Sequence, residues 1–306
     1  MSFEEELQQM VTGVASGVAP SVVRIGRGPG RGVGFVVADG AVLTNAHNIR
    51  GAETTVTFAD GRREVGDVSA VDVDGDLAVV RVGTGDAPTL AWSETAAAIG
   101  SAVLSVTATA GAGTRVTVGT VSAVERAFRG PRGRRITGGI EHTAPLARGS
   151  SGSPVVDSKG RLVGVNTHRL GEGFYIAVSA DAELRGRVDA LVRGESPRRP
   201  YLGVALYPRP AARRLRASVG LPERDGLLVR EVDEGSPAGR AGLREGDLLL
   251  QASGTQLLSP DDLFGVLGGL AEGQTLSVRV LRGTEESEVA VSFEQPDNGT
   301  GAKGSA

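Results

Sequence analysis

The chain has 306 residues, of which 40% are hydrophobic and 23% are charged, and its formal net charge at pH 7 is −3. These values argue against a disordered chain and against a strongly basic protein that binds nucleic acid or anionic membranes. The chain contains no cysteine, which excludes disulfides, thiol catalysis and thiolate metal sites. We therefore expect a globular protein of two domains that uses histidine, serine and carboxylates, with no metal and no cofactor.

The first twenty residues are acidic and have the spacing of a short helix. Leu7, Met10, Val11 and Val14 lie three and four positions apart, which predicts an N-terminal helical segment within residues 1–19. The segment is unlike a secretion signal, and no later run approaches the roughly 20 apolar residues of a membrane span. The sequence thus predicts a cytoplasmic protein without a membrane span, or a periplasmic or extracytoplasmic one if the sequence has been trimmed.

Short β-branched runs separated by glycine follow, and they predict a mainly β domain that forms an antiparallel barrel or sandwich. Helical spacing returns at residues 181–194, and the charged, proline-containing ESPRRP after it is typical of a linker. The first domain is therefore expected at residues 20–195.

The remaining chain has the size and pattern of one small α+β domain at residues 200–294. It contains several strand patterns, a turn-rich segment and the helical stretch PDDLFGVLGGL. The last residues, 295–306, are small and polar, which predicts a disordered tail.

Three further stretches contain residue types that are common at functional sites, but each has a simpler interpretation. The glycine run at 26–34 lacks the spacing of a phosphate loop, and the arginine-rich loop at 126–135 has the pattern of a solvated loop, so no nucleic-acid partner is expected. DVDGD at 72–76 lacks the glycine and glutamate positions of a calcium loop. Three carboxylates at the start of one strand are unusual, because a strand usually begins with only one turn-forming aspartate. We therefore expect one of them to bind a partner.

Candidates for nucleophilic catalysis occur in the order histidine, aspartate, serine. His47 follows the strand pattern AVLTN, the aspartates at 72–76 come next, and the turn GSSGS offers Ser150, Ser151 and Ser153. Histidine can act as base and then acid near pH 7. This chain order is that of chymotrypsin-like double β-barrels, whereas the G-x-S-x-G turn of α/β-hydrolases is not matched.

Four ordered motifs resemble the HtrA/DegP family of trypsin-like serine proteases. They are TNAH around His47, DGDLAVVRV around Asp76, TVGTVSA at 117–123 and GSSGSPVVDSKGRLVGVNT at 149–167. YLGVAL and GSPAGRAGLREGDLLLQASG further along resemble the PDZ domain that follows the protease in that family. The resemblance covers about residues 20–294. It implies a chymotrypsin-like double β-barrel protease domain followed by an α+β PDZ domain.

The resemblance also implies a role for each matching residue. Ser151 would be the nucleophile, His47 the general base and then acid, and Asp76 the residue that orients His47. The N–H groups of Gly149 and Ser151 would form the oxyanion hole. The loop that binds a peptide carboxylate would consist of Tyr201, Leu202, Gly203 and Val204.

The implied function is a serine endopeptidase of protein quality control that hydrolyses unfolded or exposed polypeptides through an acyl-enzyme, with the PDZ domain binding peptide C-termini. The N-terminal segment would assemble a homotrimer. The alternative is a protease-like peptide-binding scaffold or chaperone with little hydrolytic activity. This alternative stays open because the chain departs from the family around the site, for example at Arg148, which stands where the family has proline.

Overall fold

The computed structural model describes residues 2–27, 32–109, 113–130, 135–171, 173–197, 201–270 and 273–293. The predicted tail at 295–306 lies outside the described residues, as do residues 28–31 of the glycine run and 131–134 of the arginine-rich loop. The chain divides into two compact units, Met1–Pro197 and Arg198–Ala306.

A helix begins the first unit. This helix, α1 (Phe3–Val18), starts with a capping box, in which the Ser2 side chain accepts from the Glu5 backbone N–H and the Glu5 carboxylate accepts from the Ser2 N–H. Val14 and Val18 are buried in the core of the first unit, which fixes the end of the helix on the barrels that follow.

Six antiparallel strands close the first barrel. They are β1 (Val22–Ile25), β2 (Gly32–Ala38), β3 (Ala41–Thr44), β4 (Glu53–Thr57), β5 (Arg63–Asp72) and β6 (Leu77–Arg81). The pairing order is β1-β2-β3-β6-β5-β4, and β4 closes on β1. A 3₁₀ turn, Ala46–Asn48, follows β3. Because β3 pairs antiparallel with β6, the end of β3 lies beside the start of β6.

A second six-stranded barrel completes the first unit. Its strands are β7 (Ala102–Ala108), β8 (Thr114–Arg129), β9 (Arg135–His142), β10 (Pro154–Val156), β11 (Leu162–Gly171) and β12 (Phe174–Ser179). They pair in the order β10-β11-β12-β9-β8-β7. Helix α2 (Ala182–Val192) then returns to pack on β5 and β6 of the first barrel.

The second unit is a smaller α+β domain with its own apolar core. Its elements are β13 (Val204–Leu206), α3 (Arg209–Ser218), β14 (Leu227–Val232), α4 (Pro237–Arg240), β15 (Leu248–Ala252), β16 (Thr255–Gln256), α5 (Pro260–Gly268), β17 (Thr275–Arg282) and β18 (Glu285–Ser292). The sheet order is β13-β14-β15-β17-β18, with β16 paired to β15. The predicted fold class, a mainly β double barrel followed by an α+β domain, is confirmed. Helix α3 was not predicted from the sequence.

Candidate active site

His47 and Asp76 come together because the two strand ends that carry them are neighbours. His47 lies in the 3₁₀ turn after β3, and Asp76 directly precedes β6. The Asp76 carbonyl oxygen accepts from the Asn45 side-chain amide at 2.9 Å and from the Ala46 backbone N–H at 3.1 Å. Asp76 has a φ of +55°, which is uncommon for a residue other than glycine and is tolerated best by Asn and Asp. The two hydrogen bonds to its carbonyl oxygen hold Asp76 with its side chain towards His47.

The Asp76 carboxylate is buried, and both of its oxygens accept hydrogen bonds. The His47 Nδ1 atom lies 2.8 Å from Oδ2 and 3.0 Å from Oδ1, and the His47 backbone N–H donates to Oδ1 at 3.0 Å. The Thr167 hydroxyl donates to Oδ2 at 2.7 Å. A carboxylate only accepts, so Nδ1 carries the proton and Nε2 is the basic nitrogen of the ring. The His47 side chain is 28% exposed, against 4% for Asp76.

The serine turn is fixed between the two barrels by its backbone. The Ser151 carbonyl oxygen accepts from the Val33 N–H of β2 and from the Asn48 side chain, both at 2.9 Å. The next N–H, that of Gly152, donates to the Asn166 carbonyl oxygen of β11 at 2.7 Å. Elements of both barrels therefore set the position of Ser151.

Gly152 is a position where only glycine fits. Its φ is +86°, and a Cβ atom there would lie 2.1 Å from the carbonyl oxygen of Val33. A larger residue would have to push the serine turn away from β2.

The Ser151 hydroxyl is not bonded to histidine in this structure. Within the described part of the chain it donates to the Thr167 carbonyl oxygen at 3.5 Å, which is a weak contact, and not to the His47 ring. Catalytic hydrogen bonds are often long or poorly aligned before substrate binds. A reaction that uses His47 as the base for Ser151 would therefore need the hydroxyl to turn from Thr167 towards the ring.

Two backbone donors of the turn are unoccupied. Among the described residues, the N–H groups of Gly149 and Ser151 have no hydrogen-bond acceptor, while the Ser150 N–H between them donates to the Ala147 carbonyl oxygen at 3.3 Å. Gly149 has a φ of +82°. Free N–H groups on either side of a bonded one are available for an anion beside the Ser151 hydroxyl.

The neighbouring serines have other surroundings. Ser153 is fully buried and accepts a hydrogen bond from the Asn166 side chain at 3.0 Å, and Ser150 is 5% exposed. Asn166 also accepts from the ring of buried His142 at 2.8 Å. This polar network beneath the turn, like the Thr167 contact with Asp76, was not found from the sequence, because it depends on residues that meet only in the folded barrels.

A cavity of about 320 Å³ opens beside the turn. It is lined by Leu146, Ala147, Arg148, Gly149, Ser150, Ser151, Asn166, Thr167, His168, Arg169 and Tyr175. Arg148, which departs from the family pattern, is therefore at the site. Arg169 donates to the Leu146 carbonyl oxygen and lies over the Tyr175 ring, and so ties β11 and β12 to the serine turn.

Two of the aspartates at 72–76 have separate partners. Asp72 is buried and forms an ion pair with Arg187 of α2, and its other oxygen accepts from the Gly75 N–H at 2.9 Å. Asp76 pairs with His47. The acidic run thus provides an ion-pair partner for α2 and a hydrogen-bond acceptor for His47.

The loop before β13 is the segment for which the sequence predicts binding of a peptide carboxylate. Gly203 has a φ of +82°, and a Cβ atom there would lie 2.1 Å from the Ser236 Cβ atom. The carbonyl oxygens of Leu202 and Gly203 accept from the backbone of residues 238 and 233, whereas their own N–H groups have no acceptor among the described residues. Tyr201 is 65% exposed, and β13, which contains Val204, is an edge strand.

Comparisons with known proteins agree with this architecture. Residues 32–165 match the model of the trypsin-like peptidase domain, and residues 200–293 match that of the PDZ domain. The chain is 31% identical over 288 residues to a "Putative serine protease HhoA" of Synechocystis sp., covering 89% of this chain and 72% of that protein. The chain belongs to the HtrA-type serine protease family.

Other HtrA-type proteins extend the comparison. A "Probable periplasmic serine endoprotease DegP-like" of Halomonas elongata is 30% identical over 286 residues, and the chain spans 59% of its length. The solved structure "HtrA-type protease AlgW with decapeptide" has a TM-score of 0.68 at 23% identity, covers 92% of this chain and 97% of its own, and supports the fold. The names of these relatives do not favour the alternative of a peptide-binding scaffold or chaperone with little hydrolytic activity.

The prediction of a cytoplasmic location is wrong. The Halomonas relative of this HtrA-type chain is named a periplasmic enzyme, which points away from the cytoplasm. The prediction relied on the lack of an apolar leader in the printed sequence, and such a lack is uninformative when a chain spans only part of its relatives. Among the described residues, none of the helices is long and apolar enough to span a membrane.

Proposed function

We propose that this HtrA-type chain is a serine endopeptidase that hydrolyses peptide bonds of unfolded or exposed polypeptides through an acyl-enzyme. The observation that carries the proposal is the His47–Asp76 pair, with Nδ1 2.8 Å from the buried carboxylate, beside a serine turn fixed between the barrels. The activity fits the protein quality control for which HtrA proteases are known.

In the proposed reaction, Nε2 of His47 accepts the Ser151 hydroxyl proton while Oγ forms a bond to the carbonyl carbon of the substrate. The carbonyl oxygen becomes an oxyanion, which accepts from the N–H groups of Gly149 and Ser151. His47 then returns the proton to the leaving amine as the C–N bond breaks. Water repeats the sequence on the acyl-enzyme and releases Ser151. Throughout, Asp76 orients the ring and stabilises its charged form.

Cleavage of unfolded casein tests this function. Wild-type protein should release soluble peptides, and Ser151→Ala should reduce the rate by at least about 10⁴-fold because no nucleophile remains. Ser150→Ala is the matched control in the same turn and should keep most of the activity. Equal rates of casein cleavage by wild type, Ser151→Ala and Ser150→Ala would contradict the proposal.

For the second unit we propose that the loop from Tyr201 to Val204 binds a peptide C-terminus. The free N–H groups of Leu202 and Gly203 support this role, since they can donate to a terminal carboxylate while the peptide backbone pairs with the edge strand β13. Fluorescence anisotropy with a labelled C-terminal peptide tests it. The same peptide with an amidated C-terminus should bind at least about tenfold more weakly, and equal affinities would contradict the proposal.

A homotrimer that assembles through α1 is the proposed oligomer. Phe3 supports this assembly because its apolar side chain is 78% exposed at the start of the helix. Light scattering of wild type and of Phe3→Asp, which leaves the buried end of α1 intact, tests it. A wild-type mass of one chain would contradict the proposal.

A further inference from the structure

The second unit contains a cavity of about 300 Å³ between α3, the loop before β14, and β15. It is lined by Arg209, Ala212, Arg213, Arg214, Arg216, Ala217, Leu221, Glu223, Arg224, Asp225, Gly226 and Leu248. Five of these residues are arginines and two are acidic. The lining includes neither the loop at 201–204 nor any residue of α5, so the cavity is separate from the proposed peptide site.

Three of the five arginines are neutralised by carboxylates. Arg209 and Arg213 both pair with Asp225, and Arg213 also pairs with Glu223 at 3.1 Å. Arg224 pairs with a glutamate of β18. Among the described residues, five arginines against these three carboxylates leave two positive charges at the cavity.

In the described part of the chain, Arg214 and Arg216 are the two cavity arginines without a carboxylate partner, and Arg216 is the buried one. Its side chain lines the cavity although the residue is only 5% exposed. Its Nη2 atom donates to the Pro222 carbonyl oxygen at 3.3 Å, whereas Nε and Nη1 are buried without a hydrogen-bond partner in the described part of the chain. Burial and the nearby charge of Arg224 lower the pKa of Arg216.

Arg216 lies one helical turn after a position of α3 that packs against the sheet. Ala212, one turn earlier on α3, packs in a small apolar cluster with leucines of β14, β15 and β17. A buried guanidinium with two of its three nitrogens unpartnered is unfavourable unless an anion or further acceptors pair with it. Arg214, the second uncompensated arginine, is exposed on the same helix and also lines the cavity.

We propose that this cavity binds a small phosphate-type oxyanion, with the Arg216 guanidinium as its principal donor and Arg214 as the second positive charge. The two uncompensated charges match a dianion, and the planar donor fork of arginine matches phosphate oxygens. The volume is at the lower end for small-molecule pockets, which suits a small ion or monoester rather than a polypeptide. The ligand is either free phosphate or a small phosphomonoester.

Isothermal titration calorimetry of the full chain with inorganic phosphate tests the site. Wild type should bind one phosphate, and Arg216→Met, which keeps the side-chain volume, should bind at least about tenfold more weakly. Arg214→Met, at an exposed position where folding is not at risk, should weaken binding by at least about threefold. Arg279→Met, at an exposed position of β17 outside the cavity, is the matched control and should bind as wild type does.

Glycerol phosphate in place of phosphate distinguishes the two sources. Tighter binding of the ester indicates a phosphomonoester ligand, and tighter binding of inorganic phosphate indicates the free ion, so both results support the site. The proposal is overturned if wild type shows no binding up to about 20 mM of either compound. Unchanged affinity in both Arg216→Met and Arg214→Met would overturn it as well.

Discussion

Thr167 links the second barrel to the proposed catalytic pair, His47 and Asp76. Its hydroxyl donates to Asp76 at 2.7 Å, and its carbonyl oxygen lies 3.5 Å from the Ser151 hydroxyl. Thr167→Val removes a hydrogen bond to a charged group, so we expect kcat/KM for a fluorogenic peptide to fall by about 10- to 100-fold. Thr167→Ser keeps the hydroxyl and should retain most of the activity. Equal loss in both variants would indicate a packing role instead.

His142 makes stability dependent on pH. Burial lowers its pKa from the ordinary value of 6.5, and the hydrogen bond with Asn166 only partly opposes this. Below pH 6.5 the unfolded chain takes up a proton at this residue while the folded chain does not. The free energy of unfolding should therefore fall as the pH falls from 6.5 towards the lowered pKa, by up to about 1.4 kcal/mol per pH unit from this group.

Denaturant unfolding of wild type and His142→Gln between pH 7 and pH 5 measures this effect. Glutamine does not titrate, so the variant should lose stability less steeply on acidification. Identical slopes in the two proteins would rule out His142 as the source.

At the scale of elements, the ion pair between α2 and β5 holds the helix against the first barrel. Arg187 donates through Nε to the buried Asp72 carboxylate at 3.0 Å. Arg187→Met leaves that carboxylate buried without a cation, which should cost about 3 kcal/mol in the free energy of unfolding. Chemical denaturation measures this cost. Arg193→Met breaks only an exposed pair at the end of the same helix and should leave stability unchanged, so a similar loss in both variants would contradict the argument.

The order histidine, aspartate, serine could be read from the residues alone, whereas the choice of Asp76 and Ser151 among their neighbours came from the resemblance to the HtrA/DegP family. Thr167 and Asn166 were missed because β11 contacts the site only after both barrels have closed. The role of Asp72 could not be predicted either, because its ion-pair partner Arg187 lies more than a hundred positions away in the sequence. Helix α3 was overlooked because its sequence, RPAARRLRAS, is mostly arginine and alanine and has a narrow apolar face.

At the scale of the whole molecule, each unit carries its own apolar core. We expect fragment 1–197 to fold alone and to hydrolyse a short fluorogenic peptide with kcat/KM within about threefold of the full chain. Fragment 198–306 should unfold cooperatively without it. Loss of folding in either isolated fragment would show that the units depend on each other.

In the proposed mechanism Ser151, activated by His47, is the nucleophile. The most direct test of this role is to treat the purified protein with a fluorophosphonate probe and to locate the adduct by peptide mass spectrometry. We expect one adduct on Ser151, lost in His47→Ala and in Ser151→Ala and retained in Ser150→Ala. A folded protein that carries no adduct, or an adduct on another serine, would contradict it.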